Sequence, residues 1–157
     1  MNAKELFRLV ISISLCVLIG SLGGYFTAGE IDTWYAGLNK PNLNPPNWIF
    51  APVWTVLYVL MGIALYYFWT THSEESKKNG YMFFFGQLVL NFLWTFFFFS
   101  WHRPLFAFID IILLIGALIV TIYYFSRVKS TAGLLLVPYL LWVLFATYLN
   151  LSIIQLN

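Results

Sequence analysis

The chain has 157 residues, of which 61% are hydrophobic, 21% aromatic and only 9% charged. Eight Lys/Arg and six Asp/Glu cannot clothe that much apolar surface in water, which excludes a soluble domain and makes the bilayer the solvent. A net charge of +2 is too small and scattered for a nucleic-acid partner, and the single cysteine, Cys16, excludes an intramolecular disulfide framework and a Cys-based metal cluster.

Long uncharged windows run from 9 to 29, 41 to 73, 79 to 102 and 130 to 157, and a further one from 104 to 126 is broken only by Asp110. Each is long enough to cross a bilayer, so the sequence predicts an all-α integral membrane bundle of five transmembrane helices. They fall near 6 to 28, 47 to 69, 80 to 100, 104 to 126 and 131 to 155, in one domain over 1 to 157. The first window follows Lys4 and Arg8 as a signal peptide would, but its apolar run continues to Ala28, too long for a cleaved leader, and is read as a retained span. With five spans, Lys4, Arg8, Lys77, Lys78, Arg127 and Lys129 collect on one side, against Lys40 and Arg103 on the other. The positive-inside rule then predicts a cytoplasmic N-terminus, with the first loop and the C-terminus outside.

The link from 29 to 46 is long for a compact bundle and carries Trp34, Tyr35, Leu38, Lys40, Pro41, Pro45 and Pro46. Trp34, Tyr35 and Leu38 have the spacing of one helical turn, and the prolines stiffen the remainder of the link, so the segment is read as ordered. Two roles are open: a lid over the bundle, or an interfacial anchor whose Trp34, Tyr35 and Trp48 lie at headgroup level. Asn47 is the expected N-cap of the second helix, with Pro52 about one turn inside it.

Polar side chains in lipid turn inward, so they mark each span's inner face. Trp54, Tyr58, Met61 and Leu65 form such a stripe on the second helix; Gln87, Asn91, Trp94, Thr95 and Phe98 do so on the third; Tyr139, Trp142, Ala146 and Asn150 on the fifth. Aromatic surface interleaved with amides suits a cavity for a large, flat, mostly apolar ligand. The competing reading is that Gln87, Asn91 and Asn150 bond across helices as packing glue while the tryptophans fill the core. Pro138 frees the Leu134 carbonyl in the fifth span, which fits either reading.

Asp110 is the one acid within a span, with a structural partner such as Arg103 or an amide favoured over a proton relay. His72 and His102 fall on opposite membrane faces and cannot share a metal. No nucleophile with a matched base, phosphate loop or carboxylate pair is present, so the residues make no case for hydrolysis or phosphoryl transfer.

Several motifs occur in order along the chain: Trp34-Tyr35, Leu38-Asn39-Lys40-Pro41, Pro45-Pro46, and 53 to 62 reading VWTVLYVLMG. They continue with Gln87, Leu90-Asn91, Trp94, Phe98-Phe99, then 137 to 142 reading VPYLLW and 145 to 150 reading FATYLN. Over essentially its whole length the sequence resembles the TspO/MBR family, the tryptophan-rich sensory protein and translocator (peripheral-type benzodiazepine receptor) family. The resemblance implies a bacterial inner-membrane protein, dimeric as family members often are, that binds porphyrins and benzodiazepine-site ligands beneath its first loop and needs no cofactor.

By matching motif positions it implies Trp54 and Trp142 as pocket tryptophans, surrounded by Tyr58, Asn91, Trp94, Tyr139, Phe145, Ala146 and Asn150, with Trp34 and Pro45 in the lid. Gln87 and Phe98 join this set from the inward stripe, and Lys40 and Arg103 are the cations available for a ligand's carboxylates. Light-dependent breakdown of bound protoporphyrin, in which pocket tryptophans take part, and porphyrin transport are alternative activities that the resemblance brings. Two departures stand out: no basic residue follows Asn150, where animal members end a sterol-recognition pattern, and Leu43 replaces a frequent aromatic.

Overall fold

The computed structural model describes residues 2–74 and 76–157. It is all-helical over those residues: α1 (Ala3–Ala28), α2 (Asn47–Thr70), α3 (Lys78–Thr95), α4 (Pro104–Val128), α5 (Ser130–Leu134) and α6 (Val137–Leu156). Five helical spans are long and apolar enough to cross a membrane: α1, α2, α3 with its extension to Ser100, α4, and α5 and α6 together.

Sequence sets most of the ends. A capping box starts α1: the Glu5 backbone N–H donates to Asn2 Oδ1, and the Asn2 N–H donates to the Glu5 carboxylate, both at 2.9 Å. At α2 the expectation is corrected by one residue. Pro46 stands at the cap and Asn47 is the first helical residue, with no side-chain cap, because the extended proline already aligns the first turn. Pro52 is absorbed within an unbroken α2. The predicted fifth helix is two segments: the chain turns at 135 and 136 just ahead of Pro138, whose ring cannot follow a regular turn.

The third span ends in a π-helical turn, Phe96–Ser100, which periodicity did not reveal. There the Trp101 N–H donates to the Phe96 carbonyl at 3.0 Å, and the widened turn brings both Phe98 and Phe99 to the inner face. His102 then takes a left-handed backbone (φ 52°) that reverses the chain into α4.

Between helices in lipid, close packing and polar bonds replace the hydrophobic drive available in water. On α2, Gly62 lies against the Ile13 backbone of α1, where a Cβ would come within 2.5 Å of Ile13 Cα. Phe125 of α4 stacks face to face on Phe68 of α2, with centroids 4.0 Å apart, and on Phe84 of α3 at 5.2 Å. Leucines 18, 22, 113 and 141 point outward, the pattern of a chain solvated by hydrocarbon.

Candidate functional site

At the end of the bundle that carries the first loop, α1, α2, α3 and α6 diverge around a cavity of about 330 Å³. Trp54 and Tyr58 come from α2, Asn91 and Trp94 from α3, Phe98 and Phe99 from the π turn, and Trp142, Ala146 and Asn150 from α6. These are the faces that the polar stripes predicted. Each stripe is read at helical spacing, so a helix that turns one such residue inward turns the others too.

The amides serve both readings given by the sequence. Asn91 Oδ1 accepts from the Tyr58 hydroxyl at 2.6 Å, and its Nδ2 donates to the Tyr139 hydroxyl at 2.7 Å, joining α2, α3 and α6 in one chain. Asn150 Oδ1 accepts from the Trp94 indole at 3.1 Å, while its Nδ2 donates to the Pro104 carbonyl at 2.9 Å. Both amides are therefore glue and cavity wall at once. What remains uncommitted is aromatic: the indole N–H groups of Trp54 and Trp142 have no hydrogen bond among the described residues.

Ile31 and Tyr35 of the first loop also line the cavity. A 3-10 turn, Tyr35–Gly37, sinks Tyr35 among Phe50, Phe98 and Phe99, and its hydroxyl donates to Asn44 at 2.7 Å. Burial pushes that phenol above its ordinary pKa, partly offset by the Asn44 bond. The loop is also tied to the far end of the chain, where the Asn39 N–H donates to the Asn157 amide oxygen and the Asn157 amide donates back to the Asn39 carbonyl.

Several sequence-nominated residues lie outside the lining. Gln87 is one turn nearer the start of α3 than Asn91, its amide nitrogen 3.8 Å from Met61 sulfur and its oxygen without a partner among the described residues. Tyr139 is fully buried behind Asn91. Phe145 turns aside to stack on Tyr148, with Trp142 at its edge. Trp34 packs on Phe98 and over His102, and the Pro45 carbonyl accepts from the side-chain amide of Asn44, away from the cavity lining. Lys40 donates to the Ala36 and Leu38 carbonyls and lies 4.9 Å from the Tyr35 ring centroid, while Arg103 is exposed at the start of α4. Asp110 is buried, with one carboxylate oxygen unpartnered among the described residues and no ion pair to Arg103.

Sequence reasoning passed over α1, which contributes a wall of small residues, Gly20, Ser21, Gly24, Thr27 and Ala28, and over Phe50 and Thr55 of α2. Small residues recurring every three or four positions in an otherwise bulky span were the available signal. Ser21, Gly24 and Ala28 on α1 and Ala51 and Thr55 on α2 reach the protein surface as well as the cavity, so the cavity opens sideways between these two helices.

The fold and cavity define a helical integral membrane protein with an aromatic-lined cavity. The model of the TspO/MBR family matches residues 12–156. A tryptophan-rich protein TspO of Archaeoglobus fulgidus is 47% identical over 153 residues, covering 98% of this chain and 99% of the relative. Its counterpart in Chlorobaculum tepidum is 43% identical over 155 residues, 98% of each, and the translocator protein of Homo sapiens is 38% identical over 131 residues, 82% of this chain and 78% of the relative. The chain belongs to the TspO/MBR family of membrane sensors and translocators.

Proposed function

We propose that the chain is a membrane receptor for porphyrins, protoporphyrin IX or a related tetrapyrrole, and for benzodiazepine-site ligands, held in the cavity beneath the first loop. The observation that carries this is the chamber itself: Trp54, Trp94 and Trp142 with Phe98, Phe99 and Tyr35 supply ring faces, and two indole N–H donors stand without acceptors among the described residues. A flat apolar macrocycle with acceptor groups needs that combination. About 330 Å³ is at the small end of the ~300–1,000 Å³ typical of ligand pockets. The gap between α1 and α2 gives a wider ring room to extend. In this reading the first loop is a lid whose inner surface is Tyr35, and the carboxylates draw Lys40 or Arg103 from present surroundings.

The test is a protoporphyrin titration of the purified protein in the dark, followed by tryptophan fluorescence. Saturable quenching, weakened about fivefold or more in Trp54→Phe/Trp142→Phe by loss of two hydrogen bonds, is expected. Nonsaturable quenching, identical in both proteins, would mean partition into the micelle and would overturn the proposal. The same two indoles favour a second reading, light-dependent degradation of the bound porphyrin. Under illumination it predicts loss of porphyrin absorbance in the wild type and not in the double variant.

A further inference from the structure

On the half of the bundle that carries the N-terminus, well away from the cavity, α1, α2 and α3 leave a groove of about 230 Å³. Its walls are pairs at helical spacing: Ile11 and Leu15, Leu65 and Trp69, Tyr81 and Phe85. Ile11, Trp69 and Phe85 remain about two-fifths exposed, so the groove faces the surrounding hydrocarbon. Apart from the indole N–H of Trp69 and the phenol of Tyr81, it carries one polar point.

That point is Ser12, which lines the groove, is 1% exposed, and has a hydroxyl without any hydrogen-bond partner among the described residues. Ser21, Thr55, Thr70 and Thr147 on the same and other spans, by contrast, each donate to the carbonyl four residues back. A hydroxyl left unpaired inside a membrane span is costly, and an acceptor arriving from outside the chain removes that cost.

One turn nearer the N-terminus, ~6 Å along the axis, stands Arg8. Its guanidinium carbon lies 5.4 Å from the centroid of the Trp69 ring, at the edge of the groove. Glu5, the nearest acid in sequence, is bonded to the Asn2 backbone, and Arg8 makes no ion pair among the described residues. The groove thus combines, in order of depth, a cation with a planar donor fork, a lone hydroxyl donor and an aliphatic and aromatic trough.

We propose that this groove is a binding site for one acidic glycerophospholipid. The phosphate meets Arg8, an ester carbonyl one turn deeper accepts from Ser12, and one acyl chain lies along Ile11, Leu15, Leu65 and Phe85. The site is independent of the cavity and of what the cavity binds. A sterol offers no anion to Arg8, and a free phosphate has nothing to place in the trough.

The experiment measures lipid retained by the full-length protein after detergent exchange, by native mass spectrometry, using dioleoyl phosphatidylglycerol, its dialkyl-ether analogue and dioleoyl phosphatidylcholine. The wild type is expected to retain one phosphatidylglycerol about tenfold better than phosphatidylcholine, and Arg8→Gln to abolish that preference while Arg8→Lys keeps part of it. The wild type should also hold the diester about threefold better than the diether, a difference that Ser12→Ala removes. Equal retention of the two headgroups by the wild type, or an unchanged preference in Arg8→Gln, overturns the site. An ester preference that survives Ser12→Ala overturns the assignment of the hydroxyl. The thermal midpoint of each variant shows that it remains folded.

Discussion

The Trp34 indole lies flat on the His102 imidazole, with ring centroids 4.4 Å apart and planes 14° from parallel. His102 Nε2 is also 3.0 Å from the Glu30 carboxylate, so one histidine in the turn before α4 holds two points of the first loop. Removing it should loosen the loop without unfolding the bundle, because an exposed pair of this kind is worth about 1 kcal/mol or less. In His102→Ala, hydrogen exchange over 29 to 46 is expected to quicken while the spans keep their protection. Unchanged exchange in the loop would show that the Asn39–Asn157 bonds and the buried Tyr35 hold it without His102.

Asn91 ties Tyr58 to Tyr139, and replacing it by Leu leaves two buried phenols without their amide partner. Membrane hydrogen bonds measured by double-mutant cycles average about 0.6 kcal/mol, so Asn91→Leu is expected to lose about 1–3 kcal/mol once the stranded hydroxyls are included. Tyr58→Phe should lose less. A cycle between the two substitutions, read from unfolding in detergent, checks the coupling.

Glycines separate the packed helix faces from the open ones. Gly62→Ala drives a methyl into the Ile13 backbone, which cannot turn aside, and is expected to destabilise by about 1–3 kcal/mol or more. Gly116→Ala meets nothing within 4 Å and should be neutral or stabilising by up to about 1 kcal/mol through helix propensity. Comparable thermal midpoints for the two variants would contradict this packing of α1 on α2.

Gly20→Ala tests the cavity wall. Its new methyl would overlap the Tyr58 ring, and that ring has to swing from its place beside Asn91. Ligand affinity should fall by about tenfold, while Gly24→Ala, with open space around it, should change affinity far less.

The buried Tyr35 phenol has a raised pKa, so its neutral form stabilises the packed first loop below the usual tyrosine range, and that contribution is lost as pH rises through the folded-state value. Limited proteolysis within 29 to 46 should therefore accelerate above about pH 10 in the wild type. Tyr35→Phe, which cannot ionise, should show a weaker rise.

The sequence by itself determined the spans and their inner faces. Uncharged runs of sufficient length can be satisfied in lipid only as helices, and helical periodicity carries Trp54 with Tyr58, Asn91 with Trp94, and Trp142 with Ala146 to the same side. The break ahead of Pro138 was not among them: the sequence carried one helix from 131 to 155 and marked only the Leu134 carbonyl that the proline frees. Tertiary structure decided what periodicity cannot encode. Whether Asn91 faces a ligand or another helix depends on how closely three axes approach, and Gln87, on the same face, falls outside the cavity because the helices have closed around Met61 at that depth. The approach of α1 to the cavity and the capture of Trp34 by His102 arise from contacts between segments distant in sequence, and the π turn that brings Phe99 inward is a local departure that a regular helical period does not report. Local patterning fixes which way a side chain points along its own helix, and only the packing of the other helices fixes what it meets there.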